Sequence, residues 1–137
     1  METATMGRVT TEAKVENIHD LWEADQGRLA ADHVRRLDLT DALVDTGATM
    51  LSLPTRYVRQ LGLREQYRKR VRSSLGIGEV GVYDAVRLTI QGRSCTMDVA
   101  EVPDDVPPLI GQLPLEQLDF VVDLQARRLI GNPAHGG

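Results

Sequence analysis

The tetrapeptide Asp45-Thr46-Gly47-Ala48 has the residue types best suited to chemistry in this chain of 137 residues. The apolar run before it predicts a strand that ends at the carboxylate. Gly47 permits a tight turn and a close backbone approach, and Ala48 keeps the neighbouring wall small. Backbone N–H groups and a nearby hydroxyl can then hold the Asp45 carboxylate in place. An ordinary Asx turn at a strand end is the alternative interpretation of this segment.

Two further segments, one rich in glycine and one apolar, are also candidates for a functional site. The first, Gly76-Ile77-Gly78, opens a glycine-rich turn predicted over residues 74–81, and the second, Leu109-Ile110-Gly111, precedes a predicted helical turn. Residues 76–81 also spell Gly-x-Gly-x-x-Gly, with Glu101 twenty residues later. A dinucleotide site needs a helix after such glycines, whereas residues 82–90 alternate with period two and predict a strand. The glycines are therefore interpreted as a flexible hairpin tip.

The elements around these segments are short and mostly extended. About seven strands and two brief helices predict one all-β domain over residues 1–137. Residues 19–33 lose the strand period and are interpreted as a helical or looped insertion, and residues 132–137 as a loose tail. The predicted strands cover residues 9–17, 34–39, 42–45, 68–73, 82–90, 94–102 and the pair 120–124 with 128–130, and the helices residues 54–61 and 114–118.

In this order the three segments resemble the retropepsin-like aspartic proteases, the single-domain family of the retroviral enzymes and their bacterial relatives. The resemblance covers roughly residues 8–131. It implies an all-β half-barrel with a flap hairpin and one or two short helices, closed as a symmetric homodimer. Thr49 stands where the retroviral enzymes usually carry an acid, and the insertion and the tail also differ. Cleavage specificity and an interface built from interleaved termini therefore do not carry over.

The resemblance implies a catalytic pair of carboxylates that share one proton over a water molecule. The chain contains a single Asp-Thr-Gly and no Asp-Ser-Gly, so each subunit of a homodimer would contribute one Asp45. Thr46 would tie the two loops together, and Gly47 would present its backbone. No metal or cofactor is expected, and activity should peak at acidic to mildly acidic pH. The residues implied to bind substrate are Ala48, Gly76, Ile77, Gly78, Leu109 and Ile110.

The resulting hypothesis is an aspartic endopeptidase whose partners are a second copy of itself and a peptide or protein substrate. Apolar pocket walls are expected, so hydrophobic residues should flank the cut bond. The alternative is a catalytically silent module with the same fold that binds peptides or dimerises. An intact Asp45-Thr46-Gly47 favours the enzyme, because a pure binding module does not need this Asp.

Charge and composition exclude several other classes of protein. Sixteen basic and twenty acidic residues give a net charge of -4, which argues against a dedicated nucleic-acid binder. A basic cluster is interpreted as a solvated strand face, with contact to phosphate or to an acidic substrate as the alternative. Without a bilayer-length apolar run or a signal pattern, a soluble cytoplasmic protein without membrane contact is expected. The basic cluster consists of Arg64, Arg68, Lys69, Arg70 and Arg72.

Cys95 is the single cysteine and shares a predicted strand face with Met97 and Val99. A buried structural thiol is therefore expected, and a nucleophile paired with one of the three histidines is the alternative. The histidines have no metal-ligand spacing. The acidic pair Asp104-Asp105 is interpreted as part of a loop, with a bound cation as the alternative.

Overall fold

The computed structural model of the chain describes residues 8–73 and 76–137, and this part is mostly β, as the sequence predicts. None of its helices combines the length and the apolar character that crossing a membrane requires. The strands are β1 (Val9–Asn17), β2 (Arg36–Val44), β3 (Leu51–Pro54), β4 (Glu65–Ser73), β5 (Gly76–Ile90), β6 (Arg93–Val102), β7 (Leu109–Ile110), β8 (Phe120–Asp123) and β9 (Arg128–Gly131). The helices are α1 (Ile18–Asp25), α2 (Thr55–Gln60) and α3 (Gln112–Leu118).

Seven strands form one sheet in the order β1-β2-β7-β3-β6-β5-β4, and β1 also pairs with β5. Six of the strands therefore close into a small barrel, while β4 remains outside the closed ring. Strands β8 and β9 form a separate antiparallel hairpin. Closure removes most of the unpaired sheet edge that would otherwise be open to another chain.

The core inside this barrel is aliphatic, as the low aromatic content requires. Alternate residues of β1 and β5 point inward, so that Val15, Val86 and Leu88 are fully buried. Strand β3 contributes Leu51, β7 contributes Ile110, and the ring of Phe120 is also buried in the cluster. Burying aliphatic side chains is the main force that holds these short strands together.

Strands β4 and β5 form a long hairpin whose outer part projects from the barrel. The two strands pair from Glu65 opposite Tyr83 out to Ser73 opposite Gly76, whereas β5 pairs with β6 only from Val82 onward. The glycine-rich turn predicted over residues 74–81 is therefore mostly strand, and residues 74–75 lie outside the described residues. Because a strand follows these glycines, the dinucleotide interpretation is wrong.

Residues 19–33 contain helix α1 and a short 3₁₀ turn, and they are fastened to the barrel by one buried carboxylate. The Asn17 side chain accepts a hydrogen bond from the Asp20 N–H and caps the helix. Asp20 then accepts from the Arg35 backbone N–H at 3.0 Å and from the Arg35 guanidinium at 2.8 and 3.0 Å. The Arg35 guanidinium lowers the pKa of Asp20 below its ordinary value.

Residues 132–137, for which the sequence predicts a loose tail, make several hydrogen bonds to the rest of the structure. A 3₁₀ turn over Pro133–His135 brings the His135 ring to 2.8 Å from the Asp119 carboxylate. Arg93 donates to the Gly137 carbonyl at 2.8 Å and to two carbonyls at the end of α3. These partners are distant in sequence, so no local pattern predicts them.

The substitution Asp20→Asn tests the fastening of the insertion. The folded-state pKa of Asp20 is depressed, so its ionised form stabilises the fold at neutral pH, and this stabilisation is lost as the pH falls through that pKa. We expect the variant to lose about 2 kcal/mol of unfolding free energy at pH 7. The difference from the wild type should shrink as the pH falls below about 4. Urea denaturation across this pH range measures both effects.

The exposed Asp25 at the end of the same helix provides the matched control. We expect Asp25→Asn to leave the unfolding free energy almost unchanged at every pH. Equal losses in the two variants, or a difference between Asp20→Asn and the wild type that does not depend on pH, would contradict the assigned role.

Candidate functional site

Residues 45–50, here called the Asp45 loop, leave the end of β2 in a tight turn. The Gly47 N–H donates to the Asp45 carboxylate at 3.0 Å, and the Ala48 N–H donates to the Asp45 carbonyl at 3.0 Å. The Asx turn of the alternative interpretation is therefore present. The same hydrogen bond also fixes the direction of the carboxylate, so its presence does not exclude a catalytic role.

Strand β7 lies between the two strands that flank the Asp45 loop. Leu109 and Ile110 pair in parallel with the end of β2, and Ile110 pairs antiparallel with Leu51 of β3. The Asp45 N–H donates to the Ile110 carbonyl at 3.0 Å. The Ile110 side chain is fully buried, so this residue positions Asp45 from below, while Leu109 is half-buried beside it.

Gly111 and the first turn of α3 support the far side of the loop. The N–H groups of Gln112 and Leu113 donate to the carbonyls of Ala48 and Thr49, each at 2.9 Å. A Cβ on Gly111 would lie only 2.5 Å from the Met50 carbonyl oxygen. Its φ of -86° suits any residue, so glycine is needed here for space alone. In the sequence Gly111 stands in the segment Leu109-Ile110-Gly111, but no local pattern marks it as a site residue.

The tip of the loop faces solvent. Thr46 and Gly47 are exposed, while Asp45 and Ala48 are half-buried. Among the described residues, Gly47 is the one donor to the Asp45 carboxylate, and the Thr46 hydroxyl makes no hydrogen bond. A carboxylate that is fixed in direction and still accessible can exchange protons with a bound water or substrate.

A pocket of about 170 Å³ lies between the far end of the Asp45 loop and one face of the β4–β5 hairpin. Its floor comes from β3 and β6, and one wall comes from the hairpin. The pocket is partly apolar. Two of its lining residues, Thr49 and Met50, belong to the same loop as the Asp45 carboxylate. The lining residues are Thr49, Met50, Ser52, Lys69, Val71, Val80, Ala100 and Val102.

Strand alternation divides the hairpin residues between two faces. Lys69 and Val71 face the pocket with Val80, whereas Arg70 and Arg72 lie on the opposite face. The basic cluster is thus split, and only part of it is a solvated face. There Arg68 pairs with two glutamates, and Arg64 extends from the loop before β4 to pair with Asp84.

The predicted hairpin residues do not reach the pocket in this structure. Ile77 pairs opposite Arg72, is 60% exposed and lies on the face away from the pocket. Gly76 and Gly78 alternate with it on the pocket face, beyond the pocket lining. The structure therefore brings Asp45–Ala48 together with Leu109 and Ile110, but not with residues 76–78.

Other candidate groups have structural partners instead of a shared site. Burial raises the pKa of the half-buried Cys95 thiol, which disfavours the reactive thiolate. Asp104 accepts from the Arg56 N–H at 2.8 Å at the start of α2, so it stabilises a helix end. Within the two described ranges, no three His, Cys, Asp or Glu residues are grouped to hold a metal ion.

No model of a known protein family matches the chain, and a search of curated proteins gave no significant match. The geometry of the Asp45 loop and its surroundings is therefore the basis for any statement about function.

Gly111→Ala tests whether the packing of β7 and α3 holds the Asp45 loop. The added methyl group would collide with backbone atoms of residues 48–50, which cannot move aside as a flexible side chain can. We expect a loss of about 2 kcal/mol in unfolding free energy, measured by urea denaturation. Gly78→Ala is the control, since a Cβ there meets nothing within 4 Å of the described atoms. An unchanged stability for Gly111→Ala would show that the loop is not clamped in this way.

Proposed function

We propose that the chain is a homodimeric aspartic endopeptidase with a retropepsin-like fold, in which two Asp45 carboxylates activate a water molecule. The observation that carries the proposal is the Asp45 loop itself. Its carboxylate is directed by Gly47, its backbone is anchored on β7, and its tip faces solvent. A projecting hairpin and a recess lie beside it, as cleavage of an extended peptide would require.

The proposal includes a second subunit because the chain has a single Asp-Thr-Gly, and three of the aspartates that follow it are engaged elsewhere. Asp104 caps α2, Asp119 pairs with His135, and Asp123 accepts from two backbone N–H groups in the β8–β9 turn. Each therefore has a structural partner away from the Asp45 loop. A second copy of the chain can supply the missing carboxylate by two-fold symmetry. The exposed Thr46 hydroxyl is available to hydrogen-bond across the same axis.

The proposed reaction is a direct hydrolysis without a covalent enzyme intermediate. Two carboxylates held close together share one proton, so one acts as base and the other as acid. The base takes a proton from water as the water oxygen bonds to the peptide carbon, and the acid donates its proton to the carbonyl oxygen. The carboxyl group that took the water proton then donates it to the amide nitrogen, while the other carboxylate takes a proton from one hydroxyl of the tetrahedral intermediate. The C–N bond breaks as the C=O bond re-forms, which gives a free amine and a carboxylic acid and restores the shared proton.

The hairpin would hold the substrate in an extended form over the two loops. Its outer part pairs only within itself among the described residues, so it can move relative to the barrel. An extended peptide beneath it can hydrogen-bond as an added strand. Closing the hairpin would also exclude bulk water from the carboxylates.

A peptide-binding or dimerisation module without catalysis is the second candidate function. The observation in its favour is the Asx turn, which explains the conformation of Asp45 without any chemistry. Such a module would bind extended peptides and never cut them.

Asp45→Asn separates the two functions. The asparagine oxygen can still accept from Gly47, so the loop is retained, but it cannot take the proton from water. We expect kcat/KM on a fluorogenic peptide library at mildly acidic pH to fall by roughly 10³-fold or more. Sedimentation should show the same dimer as in the wild type. Specific activity of the wild type should rise with protein concentration until dimers are complete.

Cys95→Ser is the matched control, because its thiol plays no part in the proposed reaction. It should keep full activity. Undiminished cleavage by dimeric Asp45→Asn would contradict the aspartic mechanism. A wild-type dimer that binds peptides and cuts none would instead support the binding module.

A further inference from the structure

We propose that the pocket beside the Asp45 loop selects an acidic substrate side chain, glutamate, and that Lys69 sets this preference. The inference rests on the proposed peptidase function and narrows its substrate class. It also revises the expectation of purely hydrophobic residues around the cut bond.

The orientation of Lys69 is the first observation. Alternation along β4 turns it towards the pocket, away from the face that carries Arg70 and Arg72. In the described part of the chain it makes no ion pair or hydrogen bond, unlike Arg68, which pairs with Glu65 and Glu79. A lysine at the wall of a small pocket with no internal partner is available to pair with an anionic ligand.

The hydroxyl of Ser52 is the second, independent observation. Ser52 is only 7% exposed and lies in the lining of this pocket. Its hydroxyl makes no hydrogen bond with any described residue. Among the described residues no buried side-chain oxygen or nitrogen lacks a hydrogen-bond partner, so this hydroxyl is open to the pocket and is available to donate to a ligand bound there. The Thr49 hydroxyl lines the same pocket and also has no hydrogen bond to the described residues.

The shape and charge of the pocket favour glutamate over other side chains. Val71, Val80 and Val102 provide apolar walls for methylene groups, and the ammonium and hydroxyl groups can donate to a carboxylate at the end. Among the described residues, no carboxylate lines this pocket. Asp98 shares the adjoining cavity with Lys69, but it lies beyond ion-pair distance and accepts weakly from Gln66 at 3.5 Å.

Matched peptide pairs test this preference. Starting from any peptide that the wild type cuts, glutamate or glutamine is placed in turn at each of the positions flanking the cut bond. We expect one position at which the wild type favours glutamate by about tenfold in kcat/KM, the effect of one charge-assisted hydrogen bond. Lys69→Met should abolish that ratio. Arg70→Met, which removes a cation from the opposite face of the same strand, should preserve it.

The ratio of kcat/KM for the glutamate peptide to kcat/KM for the glutamine peptide is measured within each variant. A partial loss of folded protein therefore does not affect it. Equal use of glutamate and glutamine at every position by an active wild type would overturn the selection by this pocket and leave the peptidase function intact. A glutamate preference that survives Lys69→Met would overturn the role of Lys69. Absence of any cleavage by the dimeric wild type would overturn the peptidase function, and this inference with it.

Discussion

The insertion of β7 between β2 and β3 is the constraint on which the rest of the structure depends. It places the Ile110 carbonyl under the Asp45 N–H, and it places Gly111 against the carbonyls of residues 48–50. The loop is therefore held from both sides by backbone atoms, with little tolerance for change. An exposed loop of this length would otherwise sample many conformations, and ordering it at the moment of reaction would raise the barrier.

The anchoring of the Asp45 loop on β7 and Gly111 also explains why the proposed chemistry needs two chains. The loop is anchored from below, so its acidic side chain and the Thr46 hydroxyl are presented outward, at the protein surface. The barrel behind the loop is filled with aliphatic side chains and has no place for a second carboxylate. A symmetric partner is the simplest source of one, and it would also cover the exposed loop tip.

Much of the fold can be predicted from local patterns. The alternation over residues 9–17 gives β1 with its observed bounds, and the Gln91-Gly92 turn is confirmed, with positive φ at both residues. The start of β5 was missed because glycines have no side chains, so Gly76 and Gly78 conceal the strand period. Contacts between distant segments, such as Arg93 with Gly137, leave no local signal at all.

The residues of the candidate site also differ in how well they can be predicted from the sequence. The sequence singles out Asp45–Ala48 because a short motif follows an apolar strand, and the orientation of Lys69 is implicit in the alternation of β4. Ser52 carries no such signal, since its place in the pocket lining arises only from the packing of β3, β6 and the hairpin around that pocket. Gly111 lies between these cases. It stands in a recognisable motif, but the close backbone contact that requires glycine is visible only in three dimensions.

The most direct test of the account mixes two kinds of subunit. A fixed amount of wild-type chain is refolded together with increasing amounts of Asp45→Asn chain, or of an unrelated protein as control, and cleavage is measured at saturating substrate. If each active unit needs two Asp45 carboxylates, activity should fall steadily as wild-type chains become trapped in mixed dimers. Activity that stays constant while mixed dimers demonstrably form would show that a single Asp45 suffices, and it would contradict the account.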